Sequence, residues 1–310
     1  MDRMSRVQVI ERVAGGAHLS GMSLYGVNLS DLSLSGLQFR GTNLFRVNMR
    51  GVDASGSDFT DANLSRADIS RARFRRANLE RVNLFAANAC ETDFREALLS
   101  GARMGRGVFR MAIFVQADLR RAELELADLT EADLSKATMG AATLGRAKLV
   151  ACRLAGANLQ NAFLTEADLS KSDLTGANLT ATDLRAADLS VCAASYASLH
   201  RANLANANLQ NIVLNEADLR QASGTNANLK NAVLIGADLK NADFSGANFK
   251  QAQLAFAQLD GCTFAGAVFH GANLSDASNW HKAEWKGAIF DSASQLPAGF
   301  RELAVGVLFV

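Results

Sequence analysis

The residues able to do chemistry are few and far apart in this chain. Asp168 and Asp188, and again Asp218 and Asp238, are carboxylates twenty residues apart. A fold that stacks residues at that interval would set each pair near the separation that glycosidases use for an acid and a nucleophile. The histidines His18, His200, His270 and His281 and the cysteines Cys90, Cys152, Cys192 and Cys262 complete the set of metal-ligand and nucleophile candidates. No Cys-x-x-Cys pair occurs and no histidine lies twenty residues from Cys90. Neither a metal centre nor a nucleophile–base pair is expected, and no cofactor site either. Glycines placed singly lack the clustering of a phosphate-cradling loop.

Any such residues must be positioned by a chain of unusual regularity. Every fifth residue from Leu19 to Leu274 is large and apolar in 48 of 52 positions; Ala54, Ala89, Ala194 and Gly224 are the exceptions. Two residues before each comes a mostly small residue, alanine in 35 of the 52 cases, otherwise Ser, Thr, Cys, Gly or an occasional aliphatic, and between the two mostly Asn or Asp, as in Ala157-Asn158-Leu159. A strand repeats every two residues and a helix every 3.6, so neither keeps these leucines on one face. A chain turning a quarter circle every five residues does. Twenty residues then make one coil, with leucine and alanine inward and successive coils bonded about 4.8 Å apart.

This motif resembles that of the pentapeptide repeat proteins, Ala-(Asn/Asp)-Leu-x-x. The resemblance implies an all-β fold, a right-handed quadrilateral β-helix of about 13 coils with terminal caps, on the order of 60 Å long. The expected organisation is an N-terminal cap over 1–16, the β-helix over 17–276, and out-of-phase last repeats with a cap or dimerisation tail over 277–310. Val7, Val9, Ile10 and Val13 suit the first cap. Near the other end the phase slips by one, placing Trp280, Trp285 and Phe290 in the core, and Pro297 is placed to open a short helix.

The 310 residues carry 32 basic and 31 acidic groups, for a net charge of +1, and 49% are hydrophobic. That balance excludes a uniformly basic nucleic-acid binder and a uniformly acidic mimic of one. A single proline, Pro297, implies few ordinary loops. No apolar run approaches the roughly 20 residues of a membrane span, and no signal peptide is expected at the start. Unpaired, widely spaced cysteines point to a reducing, cytoplasmic setting.

Reading residues twenty apart as columns, several charges alternate in sign. Asp53–Arg73–Asp93, Asp133–Arg153–Asp173 and Asp128–Lys148–Asp168 form ladders; Arg71–Glu91, Arg76–Glu96 and Asp61–Arg81 form pairs. Solvated ion pairing, rather than catalysis, is the expectation, and the protein is read as no enzyme. A charge at Leu169 should not be tolerated, whereas Ser170→Asp should be silent. Residues 40–121 carry 15 basic and 9 acidic groups, residues 122–200 carry 6 and 10. In the basic part, Arg46, Arg66 and Arg106 share a column beside Tyr25, Phe45 and Phe85. Further on, Leu98, Arg103, Val108 and Ile113 occupy the usual Asn/Asp slot, while Met111 and Val115 also point outward. Phe74, Phe94 and Phe114 should stack behind them.

These residues (Tyr25, Phe45, Arg46, Arg66, Phe85, Arg106, Val108, Met111, Ile113 and Val115) form the candidate partner surface. The expected role is a rigid, non-enzymatic module that binds a protein partner, with no direct nucleic-acid or membrane contact. The alternative, which the resemblance implies, is a DNA mimic that binds DNA gyrase. Phe300, Leu303, Val307, Leu308 and Phe309 form a candidate homodimer tail through the C-terminus, as in the gyrase-protecting members of the family.

Overall fold

The computed structural model describes residues 4–310, so residues 1–3 of the expected cap lie outside it. The chain forms two compact units, Met1–Arg153 and Leu154–Val310, each described by itself. Both are β-helices of one construction. Parallel bridges join residues twenty apart, from Ser23↔Asn43 to Asp133↔Arg153 in the first unit and from Asn158↔Asn178 to Gln258↔Ser278 in the second. Each five-residue side contributes one bridged residue, so pairing runs as stacked single bridges rather than long strands.

In its regular form the repeat satisfies each of its five backbone donors. Over Asn43–Val47, the Asn43 and Leu44 N–H groups donate to Met22 O and Asn63 O, both at 2.8 Å. Arg46 N–H donates to Ser65 O at 3.1 Å, and Val47 N–H closes the turn on Leu44 O at 3.0 Å. The fifth donor, Phe45 N–H, goes to the Asn43 side-chain Oδ1 at 3.2 Å. Asn or Asp is therefore favoured in this slot, because its side chain accepts from the residue two ahead. The corner is a tight turn with φ positive at its second residue: Arg46 has φ 55° and Gly26 60°. Glycine adopts that conformation freely, while the many other residues there bear a modest strain.

The inward positions are dry. The fifth-residue column is buried throughout, Leu44, Leu134 and Leu214 among it, and nearly all small positions are too. Phe74 stacks on Phe94 and Phe94 on Phe114, at ring separations of 5.6 and 4.8 Å. Three of the apolar-column exceptions have a physical cause: Ala54, Ala89 and Gly224 each lie one coil before a phenylalanine, Phe74, Phe109 and Phe244. At Gly224 even a Cβ would fall 2.1 Å from Phe244 Cε1. Small and large residues compensate along the axis.

Helix α1, Arg6–Ala14, precedes the first coil. Arg6 donates to the carbonyls of Asn28 and Ser30, and Arg12 to that of His18. Of the four apolar residues expected to pack there, only Val9 is buried; Val7 and Ile10 are exposed and Val13 is half-buried.

At the far end the bridges lengthen to Thr263↔Glu284 and then Asn273↔Gln295, extra residues being taken up at the 3-10 turn Trp280–Lys282 and again before Gln295. Trp280, Trp285 and Phe290 are buried, as the phase slip requires. Strand β1, Ile289–Phe290, pairs in parallel with β2, Leu308–Phe309. Pro297 does not open the short helix α2, Phe300–Leu303. It begins a turn in which Phe300 N–H donates to Pro297 O, with Gly299 at φ 75° as the cap.

Candidate functional site

Asp168 and Asp188 are bridged neighbours, as are Asp218 and Asp238. Stacking does not make acids of them. Asp168 accepts from Ser170 N and Oγ at 3.0 and 2.6 Å, so a carboxylate at position 170 would face it, and Ser170→Asp is not the silent change expected. Asp188 accepts from Ser190 N and from Asn208 Nδ2. Arg220 hydrogen-bonds Asp218 twice and holds its carboxyl below the ordinary range, with partial burial opposing. A general acid needs the opposite shift.

The inward cysteines Cys152, Cys192 and Cys262 are buried, and each thiol donates to a leucine carbonyl of the preceding coil, Leu129, Leu169 or Leu239, at 2.9–3.0 Å. Burial pushes all three up to about 12, so none is a thiolate nucleophile. Thr42, Ser57, Thr92 and Thr182 use the same small slot in the same way. This role was not legible in the sequence. Cys90 is half-buried. Among the described residues no group of three His, Cys, Asp or Glu could hold a metal ion, and no helix is long and apolar enough to cross a membrane.

Many ion pairs follow one of two arrangements, one of them unexpected. Arg71–Glu91, Arg76–Glu96 and Arg81–Asp61 pair between coils at 3.2, 2.9 and 2.7 Å, and Arg153–Asp133 at 3.8 Å. The ladder Asp53–Arg73–Asp93 does not close as ion pairs: Asp93 takes Arg75 and Arg95, and Asp53 is held by Ser55. Asp128 takes Thr130. The second arrangement is Asp-Leu-Arg, in which arginine folds back on the aspartate two residues earlier: Asp118–Arg120, Asp183–Arg185 and Asp218–Arg220, at 2.5–2.7 Å. The tripeptide itself was the signal that could have found these pairs.

The ten candidate partner residues do not form one patch. Tyr25 and Phe45 stack at 5.6 Å, and the Arg46 guanidinium lies 5.3 Å from the Phe45 ring centre. Arg66 and Arg106 extend that corner and are exposed. Phe85, 38% exposed, lies beside Gly105, whose added Cβ would be 3.6 Å from its ring. Val108 is half-buried on the adjoining side, Met111 is exposed at the next corner, and Ile113 and Val115 are half-buried beyond it. Because Leu98, Arg103, Val108 and Ile113 are five residues apart, they stand on four different sides. A groove of about 490 Å³ lined by Ser55, Gly56, Arg75, Arg76, Arg95 and Glu96 lies elsewhere on this unit, its arginines neutralised by Asp93 and Glu96.

Of the tail residues, Phe300 is wholly buried, packed against Trp280, Trp285 and Phe290. It lies in the protein's own core and is withdrawn from the candidate dimer contact. Leu303, Leu308 and Phe309 are exposed and Val307 half-buried; Arg301 lies over the Phe309 ring.

No curated protein sequence matches this chain. Among solved structures it is similar to HetL, described as a pentapeptide repeat protein involved in heterocyst differentiation regulation, from the cyanobacterium Nostoc sp. strain PCC 7120. Identity is 27% over 93% of this chain and 98% of that one, with a TM-score of 0.28. It is also similar to QnrB1, a plasmid-mediated fluoroquinolone resistance protein, at 19% identity over 54% of this chain and 86% of that one, TM-score 0.36. The Pentapeptide repeats family matches in eight copies, over residues 14–44, 42–81, 77–110, 112–150, 152–190, 197–223, 213–251 and 247–278. With a small residue, an Asn or Asp and a large buried apolar residue on most bridged sides, the chain belongs to the pentapeptide repeat family, whose members are right-handed β-helix solenoids.

Proposed function

We propose that this protein is a non-enzymatic interaction module that presents one corner of its N-terminal unit to a protein partner. The observation that supports this reading is a contrast in how side chains are used. The inward thiols are buried, and the stacked carboxylates Asp168, Asp188 and Asp218 are held by hydrogen bonds, which leaves little for catalysis. At the corner of Arg46, Arg66 and Arg106, guanidinium groups and aromatic rings stand exposed with no carboxylate pairing them among the described residues. Such groups are those that interfaces enrich.

In this reading α1 covers the first coil, residues 17–276 form the helix of about 13 coils, and the segment after 277 covers its end through α2 and β2. The exposed Leu303, Leu308 and Phe309 are then the tail available to a second copy. Four cysteines outside any disulfide fit a reducing, cytoplasmic location.

The test is affinity capture from native lysate with the full chain and with Arg66→Glu/Arg106→Glu, both checked for equal melting temperature. Capture lost in the folded variant supports the reading; undiminished capture removes the corner. A DNA gyrase supercoiling assay with and without a quinolone tests the alternative. Inhibition or protection at low micromolar protein would replace the module reading with gyrase mimicry.

A further inference from the structure

The corner of Arg46, Arg66 and Arg106 brings arginines without ion pairs together with the aromatic rings of Tyr25, Phe45 and Phe85. Several arginines elsewhere on this unit meet carboxylates, Arg81 with Asp61, Arg71 with Glu91 and Arg76 with Glu96, while Arg50 and Arg110 stand without an ion pair among the described residues at a corner that lacks aromatic rings. At the Arg46 corner three guanidiniums in one column have no ion pair among the described residues. The acid nearest Arg66 in sequence, Asp68, is occupied by Ser70 N and Asn88 Nδ2. All three arginines have φ near 55°, so they leave the turn in the same way, spaced one coil and then two coils apart, about 5 and 10 Å. Glu125 stands one coil beyond Gly105 at the same corner but makes no ion pair with Arg106 among the described residues. The corner thus presents three exposed guanidiniums without ion pairs, and it suits an anionic ligand.

Two polymers have that chemistry, and the aromatic groups decide between them. Single-stranded nucleic acid binds by stacking bases on free ring faces. Here the Phe45 ring already has Tyr25 stacked on it at 5.6 Å and the Arg46 guanidinium over it at 5.3 Å, and Phe85 leans on Gly105. The Phe45 ring is thus engaged by Tyr25 and Arg46 and is no free stacking platform. An extended acidic peptide needs no stacking, and its alternate side chains, about 6.6 Å apart, can reach guanidiniums at this spacing.

We infer that this corner docks an acidic, glutamate- or aspartate-rich peptide segment of a partner protein. The inference rests on the interaction-module reading and narrows it to one partner chemistry. Electrostatic complementarity of this kind sets specificity and association rate and is weakened by salt.

The test is fluorescence anisotropy at low salt on the full chain. The probes are a labelled dodecapeptide alternating Glu and Ser, its Lys/Ser counterpart and an oligothymidine of equal length. Two variants carry the same change in net charge: Arg66→Glu/Arg106→Glu at this corner, and Arg50→Glu/Arg110→Glu at another corner whose arginines likewise lack ion pairs. Binding of the Glu/Ser peptide that falls about tenfold or more in the first variant and under about threefold in the second supports the inference. It is overturned by equal loss in both variants, by tighter binding of the oligothymidine, or by no binding of the acidic peptide. If that peptide fails to bind while partner capture still depends on Arg66 and Arg106, the acidic chemistry is wrong and the module reading stands. If capture is independent of them, the corner fails with it.

Discussion

Arg220 donates two hydrogen bonds, at 2.8 and 2.7 Å, to Asp218 two residues before it, while its Nε lies 3.9 Å from Asp238 of the next coil. One arginine thus neutralises the stacked carboxylates that the sequence offered as an acid–nucleophile pair. Spacing can bring two carboxylates together. Raising one pKa also requires that no cation be near, and here one is in hydrogen-bond contact.

The same geometry recurs at Asp118–Arg120 and Asp183–Arg185, and all three carboxyls sit below the ordinary value of 3.8, first because of the arginine hydrogen bonds. A depressed folded-state pKa adds stability that is present above about pH 4 and lost as pH falls through the folded value. Replacing Arg185 with Gln raises the Asp183 pKa toward normal. It should lower stability near neutral pH by about 0.5 kcal/mol and shrink the difference from wild type at low pH. Urea midpoints between pH 2 and 7 check this; an unchanged offset across the range would refute it.

Leu169 is wholly buried and Ser170 half-buried, with its hydroxyl on Asp168. Leu169→Asp should unfold or aggregate the protein, since an unpaired charge enters a dry stack at a cost above about 4 kcal/mol. Ser170→Ala should cost about 1 kcal/mol. Ser170→Asp should cost more than the alanine, because it sets a carboxylate against Asp168. Thermal melts of the three variants give the order.

Gly224 and Phe244 share one space. Gly224→Ala should destabilise by about 1–3 kcal/mol through overpacking, and Phe244→Leu alone by a comparable amount through a void. Together they should cost less than their sum. A double-mutant cycle by chemical denaturation measures that coupling; strict additivity would mean that the two side chains do not compete.

Three thiols are buried, on leucine carbonyls, and pushed up to about 12. At pH 8 a thiol reagent should modify Cys90 alone in the native protein and all four cysteines after unfolding. Rapid native labelling of Cys192 would contradict its position. Cys192→Ser should fold, because its hydroxyl can donate to Leu169 O as Thr182 does to Leu159 O.

The period of five in leucine and alanine is a pattern of volumes and burial, and the sequence carries it directly. The coil, its inward columns, the phase slip at Trp280 and the core stack of Phe74, Phe94 and Phe114 were therefore legible from Leu19 to Phe290. Pairing of surface groups was read from the sequence for partners one coil apart, as in Arg71–Glu91. Long flexible side chains choose among several acceptors within reach, so Arg75 found Asp93 and Arg220 turned back to Asp218. The burial of Phe300, the exposure of Val7, and the corner where Arg46, Arg66 and Arg106 meet no acid were decided by tertiary structure alone. Those outcomes depend on which neighbours occupy the space around a side chain, and no linear period records that.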